Sequence, residues 1–189
     1  MYPEALLQKT AQLVQQLNTA SQSITVAESC TGGLLGGLIT SVAGASDVFH
    51  QGFIIYSNEA KQVLLGVDEA LLAEHGAVSE SVARAMASGA LAAADADIAL
   101  SITGIAGPGG GSAEKPVGLV YIGCRVRNAN ANVKMGEVSR PSEHPAKGAH
   151  EDNINITKNI FTGDRQEIRL QSCEQAIQMA LDALQYSAT

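Results

Sequence analysis

The stretch from Ile24 to Gly33, Ile-Thr-Val-Ala-Glu-Ser-Cys-Thr-Gly-Gly, constrains this chain more than any other. It reads as a short apolar strand that stops in a polar, glycine-ended turn and hands over to a helix. A strand feeding a helix implies helices packed on a sheet. The turn also presents Ser29 on a rigid tip, beside the free N–H groups and positive dipole end of the next helix, where an anion or a developing oxyanion is stabilised. Ser29 is therefore the first candidate nucleophile. The same position would equally suit a serine that only caps the helix or helps to cradle a phosphate.

Helical and strand patterns alternate along the chain. Leu6, Leu7, Ala11, Leu13, Val14 and Leu17 recur at three- and four-residue steps, which predicts a helix over Glu4 to Leu17 with one buried stripe. After the strand at Ile24 to Ala27, a helix is expected from about Gly33 to Ser41, where Gly36 and Gly37 point to close packing or ligand approach. A short strand at Gly52 to Tyr56 precedes a helix that carries Lys61 and is capped by Ser57 or Asn58. Further helices are expected from Asp68 to just before Gly76, and from Glu80 to Ala94 behind a Ser79 cap.

Asp97 to Thr103 and Gly118 to Val126 read as buried strands joined by a loop dense in glycine and proline. The polar stretch that follows has strand-like patches at Val133 to Val138 and Ile154 to Ile160, suited to a hairpin, with a loop at about Pro141 to Asp152. Asp164 and Glu167 form a capping-box-like pair that opens a last helix. The expectation is an α/β fold, a single three-layer α/β/α domain over residues 1–189 with a central mixed sheet, in which 127–160 is a polar insertion or hairpin.

A net charge of −7 disfavours nucleic-acid and anionic membrane partners, which need clustered basic surface. The absence of a long apolar run and of a signal-peptide core points to a cytoplasmic protein. Cys30, Cys124 and Cys173 are too widely spaced for a zinc site or a disulfide framework, and the six-residue spacing of His144 and His150 fits no standard metal geometry. No metal or cofactor is expected.

A serine hydroxyl needs a base. His50, His75, His144 and His150 carry no motif that marks them as that base. Lys61 is better placed, because the short strand before it can end on the same side of the sheet as Ser29, and a serine-lysine dyad becomes the leading arrangement. Cys30 is intrinsically the stronger nucleophile, but its side chain should point away from its neighbour's and into the core. Glu28 reads either as an active-site acid or as the residue that positions the turn.

Four segments in fixed order carry a resemblance: Ala27-Glu-Ser-Cys-Thr-Gly-Gly33; Tyr56-Ser-Asn-Glu-Ala-Lys61; Thr103-Gly-Ile-Ala-Gly-Pro108 with Glu114-Lys-Pro-Val-Gly118; and Phe161-Thr-Gly-Asp-Arg165. The chain resembles the nicotinamide-nucleotide amidases, which are similar to the C-terminal domain of the competence/damage-inducible protein CinA. That resemblance implies hydrolysis of the carboxamide of nicotinamide mononucleotide to nicotinate mononucleotide and ammonia, recycling a pyridine nucleotide, with no cofactor and in a homodimer. It implies Ser29 as nucleophile, Lys61 as general base and Tyr56 beside them as orienter or proton relay.

For the substrate, the same comparison implies contacts from Glu28, Cys30, Thr31, Gly32, Gly33, Asn58, Thr103 and Gly104. Arg165 at the opening of the last helix is the first candidate for the phosphate, ahead of Lys115 and Arg140. A lysine works as a base near neutrality only if its pKa is depressed, so Lys61 should be poorly solvated and free of a carboxylate partner. The rival function is a non-catalytic nucleotide-binding or regulatory module. A third is hydrolysis of another small amide.

Overall fold

The computed structural model describes residues 2–127 and 153–186. In chain order, the structure has α1 at Glu4–Ala20, β1 at Ile24–Glu28, α2 at Leu34–Thr40, β2 at Gly52–Ile54, α3 at Asn58–Leu65, α4 at Glu69–His75 and α5 at Glu80–Ala93. Then come β3 at Ile98–Gly104, β4 at Leu119–Val126, β5 at Ile154–Ile160 and α6 at Arg165–Tyr186. The strands form one mixed five-stranded sheet in the order β2-β1-β3-β4-β5. β1 runs parallel to both β2 and β3, whereas β3, β4 and β5 are successively antiparallel.

Helices cover both faces, as the alternation of side chains along β1 and β3 requires. Ile24, Val26, Ile98, Leu100 and Ile102 join one apolar cluster with Leu13 and Leu17 of α1, Leu35 and Leu38 of α2, and Ile177 and Ala180 of α6. Ala27 and Ala99, from the alternate positions, join Phe53, Ile55, Leu65, Leu72, Val82, Met86 and Ala90 on the opposite face, under α3, α4 and α5. The chemistry at the end of β1 inherits this parity. Glu28 projects toward α2, and the next residue, Ser29, projects toward α3.

Of the two candidate caps for α3, Ser57 makes the cap, accepting from Ala60 N–H, and Ser79 caps α5 as expected, accepting from Val82 N–H; Asp68 also caps α4, accepting from Ala70 N–H. Asp164 and Glu167 likewise exchange side chain and backbone: the Asp164 carboxylate accepts from the Glu167 N–H, and Glu167 from the Asp164 N–H. β2 is shorter than the expected Gly52 to Tyr56, because its pairing partner β1 ends at Glu28, opposite Ile54. The strand at Ile154–Ile160 lies along β4, in a register running from Leu119 opposite Ile160 to Arg125 opposite Ile154. The other half of the expected hairpin, Val133 to Val138, and the loop at Pro141 to Asp152 lie outside the described residues.

Gly36 and Gly37 serve packing. A Cβ on Gly37 would lie 2.8 Å from the Tyr2 hydroxyl, and one on Gly36 would lie 3.4 Å from Glu28 Oε1. Among the described residues no helix is long and apolar enough to cross a membrane.

Candidate active site

β1 delivers the chain into the Ser29–Gly33 turn, and the turn is fixed from below. The Glu28 carboxylate, 1% exposed, accepts from the N–H groups of Gly33, Leu35 and Gly36 at 3.0, 3.0 and 2.8 Å. Of the two readings of Glu28, the turn-positioning one fits these bonds: the carboxylate satisfies the orphan donors at the start of α2. Gly32 and Gly33 adopt positive φ of 58° and 93°, and a Cβ on Gly33 would also come within 2.9 Å of Ile54 Cδ1. Only glycine fits that position without strain.

The turn's N–H groups are then largely spoken for. Ser29 donates to Ile102 O of β3, Gly32 donates to Ser29 O, and Gly33 to Glu28. The expectation that any N–H in Ser29 to Gly33 is available to an oxyanion therefore narrows. The N–H groups of Cys30 and Thr31 are claimed by no other residue among those described.

α3 brings the second group. Its Ser57 cap sets the start of the helix, so Lys61 falls one turn in and reaches back beneath the end of the sheet. Lys61 Nζ lies 3.1 Å from Ser29 Oγ and donates to the Ile55 carbonyl at 2.9 Å and the Ser57 carbonyl at 3.4 Å. The residue is 1% exposed, and no ion pair among the described residues involves it. Burial lowers its pKa below 10.5, with a smaller opposing pull from the Cys30 sulfur. A neutral amine hydrogen-bonded to a hydroxyl has the geometry needed to take that hydroxyl's proton.

Cys30 is not a competing nucleophile near neutral pH: desolvation pushes its thiol up to about 11. Tyr56 is 63% exposed, and its hydroxyl accepts from Arg165 at 3.1 Å; it is not among the groups that hold Lys61. Those holding groups are the Ile55 and Ser57 carbonyls. Arg165 also donates to the Gly107 carbonyl at 2.6 Å, which ties the loop after β3 to Tyr56.

Thr103 is buried next to the turn with its hydroxyl donating to Ala77 O, and Gly104 has no room for a Cβ, which would lie 2.7 Å from Leu119 O. Asn58 is exposed at the start of α3. Thr31 is fully buried, and its hydroxyl has no hydrogen-bond partner.

Side-chain hydrogen bonds thus form two groups, Ser29 with Lys61, and Tyr56 with Arg165 and the Gly107 carbonyl of the loop after β3. Lys115 is drawn elsewhere, donating to the carbonyls of His75 and Val78 at the end of α4. Arg140, His144 and His150 lie outside the described residues. Sequence reading missed Arg169, whose Nη2 donates to the Thr31 carbonyl at 2.6 Å. The available signal was its spacing: four residues after Arg165 on α6, it occupies the same helix face.

Comparison with known proteins shows the family. Residues 7–144 match the family described as CinA C-terminal domain. The chain is 43% identical over 178 residues to the nicotinamide-nucleotide amidohydrolase PncC of Escherichia coli K12, covering 94% of each. It is 50% identical over 154 residues to a protein of Caldicellulosiruptor bescii named for competence damage, but spans only 32% of that relative's length. Among solved structures it superposes on the competence/damage inducible protein CihA of Agrobacterium tumefaciens with a TM-score of 0.83 at 35% identity, over 97% of this chain and 98% of that one.

Proposed function

The chain belongs to the CinA C-terminal domain family, and from that premise we propose that it is a nicotinamide-nucleotide amidohydrolase. The observation that carries the reading is the buried Lys61 amine, bonded to Ser29 Oγ at 3.1 Å with no carboxylate among the described residues paired to it. The name of the Escherichia coli relative, matched over nearly its whole length, supplies the substrate class.

In the proposed mechanism, neutral Lys61 takes the Ser29 proton as Oγ attacks the carboxamide carbon of nicotinamide mononucleotide. The oxyanion forms against the unclaimed N–H of Cys30. Loss of one such donor typically raises the barrier by about 3 kcal/mol. The Lys61 ammonium then protonates the departing nitrogen, ammonia leaves, and the pyridine carboxyl remains as an ester on Ser29. Lys61 next deprotonates a water that attacks this ester, and nicotinate mononucleotide leaves with Ser29 reprotonated. No metal or cofactor enters the scheme.

Tyr56 and Arg165, joined at the surface beside the dyad, act on the nucleotide, with Arg165 as the phosphate ligand. Thr31, Gly32, Gly33, Asn58, Thr103 and Gly104 shape the pocket around the ring and ribose. We further infer a homodimer, supported by Ile54, Tyr56, Val63 and Leu64, large apolar side chains exposed along β2 and α3. Action in the cytoplasm, in pyridine-nucleotide recycling, fits its substrate and its three unpaired, buried cysteines.

The test is ammonia release from nicotinamide mononucleotide by the purified protein, by Ser29→Ala and by Lys61→Ala. Turnover by the wild type with a loss of at least about a thousandfold in both variants is expected. Saturable binding without release would instead favour the non-catalytic module, and preference for an amide lacking the phosphate would move the activity to another substrate.

A further inference from the structure

Arg169 is a charged side chain that touches the nucleophile turn and has no part in the scheme above. From the second turn of α6 its Nη2 donates to the Thr31 carbonyl at 2.6 Å and its Nη1 donates to Gln166 Oε1 at 3.0 Å. Its Nε is buried without a hydrogen-bond partner. An arginine kept only for solubility would swing into water and leave no N–H unsatisfied. This one is half-buried, with its Nη2 bonded to the turn.

Resting on the amidase reading, we propose that Arg169 is a positioning residue for the oxyanion donor, holding the Thr31 carbonyl so that the neighbouring N–H of Cys30 stays aimed at the reacting carbonyl oxygen. The residue after Thr31 is Gly32 at φ 58°, followed by Gly33 at φ 93°. The Thr31–Gly32 peptide is held at its N–H, which donates to Ser29 O at 3.1 Å, and at its carbonyl, which accepts from Leu34 N–H at 3.2 Å and from Arg169 at 2.6 Å. Glu28 fixes the N–H side of the turn through Gly33, and Arg169 adds the shorter, charged bond on the carbonyl side at Thr31. Clamped from both sides, the turn keeps the unclaimed Cys30 donor in place before substrate arrives, which is the condition for preorganised stabilisation.

The guanidinium also lends the turn a permanent positive charge, and that charge acts on Cys30 to favour the thiolate against the larger effect of burial. A phosphate-binding role fits less well. Both terminal nitrogens already have partners within the protein and Nε is inaccessible, whereas Arg165 stands exposed one turn earlier.

The experiment compares wild type, Arg169→Lys and Arg169→Met in steady-state ammonia release from nicotinamide mononucleotide, with thermal unfolding and nicotinate mononucleotide affinity measured on the same preparations. The expected result for Arg169→Met is a fall in kcat of about 10- to 100-fold, smaller than for outright loss of a donor, because the donor is displaced and not removed. KM and product affinity should stay within about threefold, since binding of the ground state does not use the oxyanion donor. Arg169→Lys should recover part of kcat, restoring the charge and one bond but not the planar fork.

A folded Arg169→Met with wild-type kcat overturns the inference, as does a loss confined to KM and product affinity, which would make Arg169 a phosphate ligand. If Arg169→Met fails to fold, Arg169→Lys decides, and wild-type kcat there overturns it. A wild type that releases no ammonia sinks the amidase reading itself, a different outcome from an active wild type indifferent to Arg169.

Discussion

A lysine that is 1% exposed and unpaired is an unstable choice for any residue kept merely for structure, because burial penalises its charged form. The Ile55 and Ser57 carbonyls and the Ser29 hydroxyl accept its hydrogens, and none of them carries a compensating charge. Its lowered pKa makes two pH statements. Catalysis needs the neutral amine, so kcat/KM should rise with pH through the depressed Lys61 pKa and then level off. For stability, the unfolded lysine holds its proton up to the ordinary 10.5, so between the depressed folded value and 10.5 the unfolded state binds more protons and stability rises with pH. Lys61→Met, which cannot titrate, should therefore be inactive and gain melting temperature relative to wild type most at low pH, the advantage shrinking as pH climbs through that window. Melting curves over a pH series read the effect. A pH-independent difference, or activity that falls across the same range, would mean that Lys61 works as a cation.

The aim of Lys61 is set by elements, above all by how α3 rests on α5. A Cβ on Gly89, in the middle of α5, would lie 2.1 Å from the Leu65 carbonyl at the end of α3. Helix propensity alone favours Gly89→Ala by roughly 1 kcal/mol. Overpacking against fixed backbone costs about 1–3 kcal/mol, so the packing effect wins. Gly89→Ala should lower the urea midpoint and, by pushing α3 outward and Lys61 off Ser29, cut ammonia release by about tenfold or more. A Gly89→Ala variant that is both more stable and fully active would show that α3 yields without consequence. The same dependence on elements explains Tyr56: β2 ends at Ile54 beside the last residue of β1, and Tyr56 therefore emerges at the surface with Arg165 and not beneath the sheet with Lys61.

Across the whole molecule, β2 is one edge of the sheet among the described residues, and Ile54, Tyr56, Val63 and Leu64 leave 61%, 63%, 75% and 50% of their surfaces exposed between there and α3. Unpaired edges and grouped apolar side chains are the features proteins ordinarily cover. If a second copy covers them, light scattering should give a dimer mass for wild type and a monomer mass for Val63→Glu/Leu64→Glu. An unchanged mass in the double variant would put the contact elsewhere. By itself the sequence determined what is local: the amphipathic stripe of α1, the cap at Ser79 and the Asp164–Glu167 capping pair, the apolar runs of β1, β3 and β4, and the segments bearing Ser29 and Lys61. These were legible because a cap, a helical stripe or a strand-turn-helix is encoded by residues a few positions apart. Tertiary structure alone decided that Ser29 and Lys61 meet at 3.1 Å, that Glu28 occupies the first N–H groups of α2, and that Arg169 reaches Thr31 across 138 positions. Such contacts depend on strand order, on which face each residue takes and on the rotation of α6 about its axis, and none of these is a property of neighbouring residues.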